Sequence, residues 1–202
     1  MKDSVFVNCP FDGDFKPLFE AIVFTVMASG YRVRCALEEN SSGDIRYEKL
    51  CRLIEVSDYS IHDLSRTELG AADLPRFNMP FELGLFMGAK RFGGKKQKQK
   101  SALILVGRPY QLPVYLSDLA GNDPAAHRGE RAEIIRHVRR YLHEGPEGIQ
   151  LPGAKTLQTE FERFKRRLPD LADALGIAPE EIDPFLEYRS YVSLLEEYLA
   201  EI

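Results

Sequence analysis

The chain has 202 residues, room for one ordinary α/β domain with an appendage but not for two full domains. Hydrophobic residues make up 44% and charged residues 29%, and a net charge of −4 argues against a global basic footprint for nucleic acid. No apolar run approaches the roughly 18 residues of a membrane span, Met1–Val5 have no secretory leader pattern, and Cys9, Cys35 and Cys51 lack CxxC or Cys/His spacing. The expectation is a cytoplasmic chain with no disulfide framework, no metal site and no membrane partner.

Val5-Phe6-Val7 predicts a short buried strand over 4–8, ending in the polar loop Asn8-Cys9-Pro10-Phe11-Asp12-Gly13-Asp14. Phe15, Leu18, Phe19, Ile22 and Val26 share one face of a helix that Gly30 stops. Residues 32–37 predict a second strand, and a polar loop from Glu38 to Asp44 follows, with Ser42 or Asp44 as candidate cap of a helix over 45–56. Residues 59–64 predict a third strand. The stretch from Ser65 to Phe77 is long for a compact domain, and Asn78 and Pro80 open a helix reaching Phe92. Gly93–Lys100 reads as a solvated basic loop, Ala102–Val106 as a central strand covered on both faces, and 113–116 as a weak fifth strand.

Strands alternating with helices predict an α/β, flavodoxin-like parallel sheet of about five strands over residues 1–127. Helices at about 129–143, 156–175 and 184–201 predict a helical C-terminal extension, 128–202, packed on it. Residues 144–202 hold 6 basic and 13 acidic side chains, so the acidity of the chain is concentrated there.

In such a sheet, ligands bind beyond the carboxyl ends of the strands where strand order reverses. The loops at that edge carry Asn8, Asp12, Glu38, Glu39, Asp63, Ser65, Arg66, Arg76, Asn78 and Glu82. Neither GxGxxG after the first strand nor GxxxxGK[ST] occurs, which disfavours a nicotinamide dehydrogenase and a P-loop NTPase. Phosphates bound there must meet side chains such as Arg66 or Arg76. Glu82, placed in the first turn of its helix, reads from local sequence first as a capping glutamate and second as a functional carboxylate. Gly84 and Gly88 read as close-packing positions, His62 as a core histidine, and the three cysteines as buried small hydrophobes.

Val5-Phe6-Val7-Asn8, Gly43-Asp44-Ile45, Ile54-Glu55-Val56-Ser57-Asp58, Asp63-Leu64-Ser65 and Asn78-Met79-Pro80-Phe81-Glu82-Leu83-Gly84 occur in that order. Together they resemble a bacterial TIR-like (Toll/interleukin-1 receptor-like) domain of the NAD-cleaving branch, over roughly residues 4–121. The resemblance implies cleavage of the N-glycosidic bond of NAD⁺, with NAD⁺ as substrate and no cofactor, Glu82 as the catalytic glutamate, self-association, and a role as an antiphage effector. Asp63-Leu64-Ser65 with Glu82-Leu83-Gly84 is also similar to nucleoside 2′-deoxyribosyltransferases. The chain departs from the TIR pattern in its first loop, Asn8-Cys9-Pro10-Phe11-Asp12, and in having no tryptophan.

Both families break a bond between ribose C1′ and a base nitrogen. Positive charge builds on the sugar as the base leaves, and one carboxylate can stabilise or attack it. Phe11 and Phe77 are the candidate walls for the base. A nucleoside or nucleotide N-glycosidase or deoxyribosyltransferase, and a non-catalytic TIR-like interaction module using the Glu38–Asp44 loop, remain the alternatives.

Overall fold

The computed structural model describes residues 3–38, 43–66, 76–110, 112, 114–119, 121–145 and 150–202. Its strands are β1 (Ser4–Asn8), β2 (Arg32–Arg34), β3 (Tyr59–Asp63), β4 (Ser101–Val106) and β5 (Ala125–Ala126). They form one sheet in the order β2-β1-β3-β4-β5, all parallel, so the fold is the α/β, flavodoxin-like sheet with a C-terminal helical extension. The chain leaves β1 in one direction to reach β2 and then returns past β1 to β3. The reversal of strand order therefore falls between β1 and β3, whose carboxyl ends are Asn8 and Asp63.

The helices are α1 (Lys16–Ala28), α2 (Arg46–Val56), α3 (Asn78–Phe92), α4 (Arg131–His143), α5 (Ala154–Ala174) and α6 (Tyr188–Ala200). On one face of the sheet, α2 and α3 cover Phe6 with Leu53, Ile54 and Phe86. On the other, α1 packs with α4, α5 and α6 in a single apolar cluster.

Sequence periodicity predicts one apolar face for α1, but every residue from Leu18 to Val26 is buried. The reason is the outer layer: Phe24 meets Phe161 and Phe164 of α5 at ring-centroid distances of 5.4 and 6.0 Å, and Phe164 meets Tyr191 of α6 at 5.8 Å. Helix α1 is a core helix, which explains the unbroken run Ala21-Ile22-Val23-Phe24. Glu20, buried with it, is matched by Lys165 Nζ at 2.7 Å, because a carboxylate in that position is costly without a partner. Gly30, at φ +85°, turns the chain out of α1 in a conformation that side chains resist.

Several sequence expectations are corrected. Residues 114–119 form a 3₁₀ turn, with Leu116 and Leu119 packed on Leu64, Leu83 and Val106; the fifth strand is Ala125–Ala126 instead. Strand β2 ends at Arg34, and Ala36–Glu38 form a 3₁₀ turn that brings Glu38 back onto Arg34. Helix α2 begins without a side-chain cap, and Asp44 pairs with Arg52 at 3.1 Å; Ser42, the other candidate cap, lies outside the described residues. Gly84 is exposed, and a β-carbon at Gly84 or Gly88 would meet nothing within 4 Å, so neither marks a close approach. Cys9 and Cys35 are buried, Cys51 only in part.

The basic loop is also not uniformly solvated. Lys100 is buried, its ammonium donating to the carbonyls of Ile54 (2.7 Å) and Ser57 and lying 5.0 Å from the Phe86 ring. It thus satisfies the end of α2, where carbonyls lack intrahelical partners. Replacing Lys100 by Met keeps the stem but takes the ammonium from the Ser57 carbonyl and leaves the Ile54 carbonyl with only the Ser57 amide at 3.3 Å. Chemical denaturation is expected to show a loss of about 2–3 kcal/mol, and an unchanged midpoint would remove Lys100 from this role.

Candidate active site

The crevice is assembled on the end of β1. Asn8 is buried, and its Nδ2 donates to the carbonyl of Met79 in the first turn of α3 (2.9 Å) and lies 3.0 Å from His62 Nδ1 on β3. Asn8 therefore ties α3 to the two strands flanking the reversal point. Burial pushes the His62 imidazole down to about 3, so it stays neutral, between the edges of Phe6 and Phe86. His62 is a core residue, as the sequence indicates.

Glu82 is the fifth residue of α3, in its second turn rather than its first. It is not a capping residue, and the capping alternative falls away. Its side chain is buried (8% exposed), and burial pushes its carboxyl up to about 7, with Arg46 at the start of α2 pulling the other way. Among the described residues no hydrogen-bond donor reaches it. Glu82 lies close enough to the end of β1 to act on Cys9: after burial itself, the charges of Asp63, Cys35, Glu82 and Asp12 raise that thiol well above its ordinary range. Cys9 is thus held protonated, while three carboxyl groups gather around the end of one strand.

Asp12 Oδ1 accepts the Phe15 amide (3.0 Å) ahead of α1. Its carboxylate also holds both candidate arginines, Arg76 at 3.0 Å and Arg66 at 3.4 Å; Arg66 reaches Asp14 as well, at 3.1 Å. These arginines are 48% and 42% exposed, so each pair is worth at most about 1 kcal/mol and can be exchanged for another anion. Asp63 is fully buried and accepts both the amide and the hydroxyl of Ser65, which lies half-buried at the rim.

Phe77 is exposed beside Tyr115, ring centroids 5.6 Å apart, and Asn78 is exposed at the start of α3. Phe11 points elsewhere: its ring meets Phe19 at 5.6 Å and Phe185 at 5.7 Å, beneath the C-terminal segment. Glu38 is occupied by Arg34 (2.8 Å) and Arg32 (3.2 Å) at the edge strand, and its carbonyl accepts from Arg189 of α6. The structure therefore brings Asn8, Asp12, Asp63, Ser65, Arg66, Arg76 and Glu82 around one strand end, and anchors Phe11 and Glu38 to the C-terminal extension. Glu39 and most of the Ser65–Phe77 loop lie outside the described residues.

Sequence reasoning passed over His127, which follows β5. It is buried, with Nε2 3.1 Å from Asp63 Oδ2. No spacing signal marks it, because a two-alanine strand has no pattern of its own. A separate groove of about 1500 Å³ is lined by Asp3, Tyr31 and Arg32 at the amino ends of the strands and by α6, away from Glu82. Among the described residues no cluster of three or more His, Cys, Asp or Glu is arranged to hold a metal ion, and no helix is long and apolar enough to cross a membrane.

Comparison with protein-family models and with curated proteins finds no match to this chain. The fold defines a flavodoxin-like α/β protein, and Asp63, Glu82 and Asp12 lie near enough to the end of β1 for their charges to act on Cys9.

The raised Glu82 carboxyl has a consequence for stability. Between its ordinary value of 4.5 and about 7, the folded chain keeps a proton that the unfolded chain has released. The contribution of Glu82 therefore falls as pH rises through that window and is lowest above it. Glu82→Gln, which mimics the protonated form, is expected to match the parent below pH 4.5 and to exceed it by about 3 kcal/mol at pH 8. Denaturation midpoints at those two pH values check this, and a Gln variant less stable at pH 8 contradicts it.

Proposed function

We propose that the chain is a TIR-like N-glycosidase that cleaves the nicotinamide–ribose bond of NAD⁺, with Glu82 as its catalytic carboxylate. The observation that carries the reading is Glu82 itself: a buried carboxyl with no donor among the described residues, poised near neutrality at the sheet's ligand-binding edge. Burial raises the Glu82 carboxyl by penalising its charged form, and carboxyls perturbed in this way are concentrated at functional sites. The motif order from Val5 to Gly84 supports the TIR-like assignment.

In this reading the C1′–N bond breaks and its electron pair leaves with nicotinamide, which departs neutral and needs no acid. The ionised Glu82 stabilises the cationic sugar or attacks C1′, and water then completes ADP-ribose and releases a proton. The cationic nicotinamide ring favours ionisation of Glu82 on binding. Arg66 and Arg76, held by exposed pairs to Asp12, are the groups to exchange onto the pyrophosphate. Phe77 with Tyr115 supplies an exposed aromatic wall. Self-association and an antiphage role, carried by the resemblance, and a cytoplasmic setting, carried by the cysteine usage, complete the proposal.

One observation favours a second reading. A carboxyl near 7 is half protonated at neutral pH and can serve as a general acid for an uncharged leaving base. That chemistry belongs to a nucleoside N-glycosidase or deoxyribosyltransferase.

The test incubates the protein with NAD⁺ and with purine and pyrimidine nucleosides from pH 5 to 9, at low and high protein concentration, and measures free base. The NAD⁺ reading predicts nicotinamide release whose kcat/KM rises with pH through about 7, falls by about 10²-fold or more in Glu82→Gln, and grows per chain with concentration. Release of nucleoside base on the acid side of 7 selects the second reading. No free base from any substrate removes both and leaves an interaction module.

A further inference from the structure

The buried acid Asp63 is held from two sides, and the two contacts decide what Ser65 offers a ligand. Asp63 Oδ1 accepts the Ser65 amide at 2.9 Å and also the Ser65 hydroxyl. Asp63 Oδ2 lies 3.1 Å from His127 Nε2 without meeting hydrogen-bond geometry, and among the described residues it has no hydrogen-bond partner. His127 is itself oriented by its backbone. Arg128 and Gly129 take φ values of +54° and +77°, a turn that lets the Gly129 amide donate to His127 Nδ1 at 2.9 Å. A ring nitrogen that accepts from an amide carries no proton, so the imidazole proton sits on Nε2, the ring nitrogen beside Asp63. The edge of Phe15, with ring centroids 6.2 Å apart, packs against the imidazole.

The proton directions then follow. Asp63 is buried and accepts twice from Ser65 on Oδ1, while its Oδ2 has His127 Nε2 as a 3.1 Å neighbour without a hydrogen bond between them. It takes the Ser65 hydroxyl proton, and the lone pairs of Ser65 Oγ are what remain for the crevice. Ser65 lies half-buried at the carboxyl edge of the sheet, next to the reversal point.

We propose that His127 is a positioning residue which, through Asp63, fixes Ser65 Oγ as a hydrogen-bond acceptor for a sugar hydroxyl, so that the site takes ribosyl rather than deoxyribosyl ligands. The inference rests on reading the crevice as a ribosyl site, and it adds a selection between sugars. A ligand hydroxyl donates to Ser65 Oγ; a ligand with hydrogen at that carbon leaves the oxygen unpaired and desolvated, which is the costly case.

The experiment measures binding by calorimetry of ADP-ribose and of its two analogues lacking the 2- or the 3-hydroxyl of the terminal ribose. The parent protein, Ser65→Ala, His127→Leu and His127→Gln are compared. The parent is expected to bind ADP-ribose about tenfold more tightly than one of the two analogues. Ser65→Ala and His127→Leu are expected to lose that preference. His127→Gln, which keeps an N–H donor toward Asp63, is expected to retain most of it. A merely structural histidine would change both affinities together and leave their ratio alone. Should His127→Leu not fold, Ser65→Ala at the rim and His127→Gln in the core carry the decision.

A parent ratio near one for both analogues, a preference that survives Ser65→Ala, or no binding of ADP-ribose overturns the proposal. So does a preference that survives His127→Leu, or one that His127→Gln loses. Nicotinamide release by the parent protein is followed separately. Release without hydroxyl preference removes the relay and leaves the chemistry standing. Preference without release removes the chemistry and leaves the relay standing.

Discussion

Asn8 is the residue on which the site depends. One buried amide group at the end of β1 reaches the carbonyl of Met79 and the ring of His62, and so joins the first strand, the third strand and the start of α3. The position of Glu82, three residues beyond Met79, follows from that tie. Burial keeps His62 neutral, so its Nδ1 can accept. An ionised imidazole there would set a donor at Nδ1 against the Asn8 donor in a fully buried position. The arrangement is short and rigid, as befits a group meant to hold one carboxyl in one place.

Around this tie the protein tolerates electrostatic cost. Glu82, Asp63 and Asp12 each lie close enough to Cys9 for their charges to act on it, and Glu82 has no hydrogen-bond donor among the described residues. Elsewhere the same chain treats buried charge conventionally, pairing Glu20 with Lys165 and placing Lys100 on two carbonyls. The contrast between Glu20, bonded to Lys165, and Glu82, which among the described residues has the charge of Arg46 but no hydrogen-bond donor, is the physical argument for function. Buried charge left unpaired destabilises a fold, and a stability optimum reached without it would have used glutamine.

Much of the architecture was legible in the sequence because the relevant signals were local. Val5-Phe6-Val7 and Ala102–Val106 are short apolar runs with no polar face, as expected of strands covered on both sides, and Gly30 ends α1 as read. The fifth strand was not legible, since two alanines have no periodicity and their strand character comes only from pairing with Leu105 and Val106. For the same reason His127 was invisible: its partner Asp63 is 64 residues away in the chain, and only the fold joins them. Phe11 and Glu38 sat in the right loops by topology, but Phe185 of the helical extension holds the Phe11 ring, and Arg34 and Arg32 hold the Glu38 carboxylate at the edge strand. Strand order locates a crevice, while the side chains that face it depend on packing partners distant in sequence.

The account turns on the charge state of one group, and that state is directly observable. Carbon-13 labelling of the glutamate carboxyls, with Glu82→Gln to assign the signal, gives the Glu82 titration by NMR in the free protein and with an uncleavable carbocyclic analogue of NAD⁺. The account predicts a midpoint near 7 in the free protein and a fall of about one pH unit or more when the cationic ring is bound. A free-protein midpoint in the ordinary carboxylate range, or a midpoint that the analogue does not move, would contradict it.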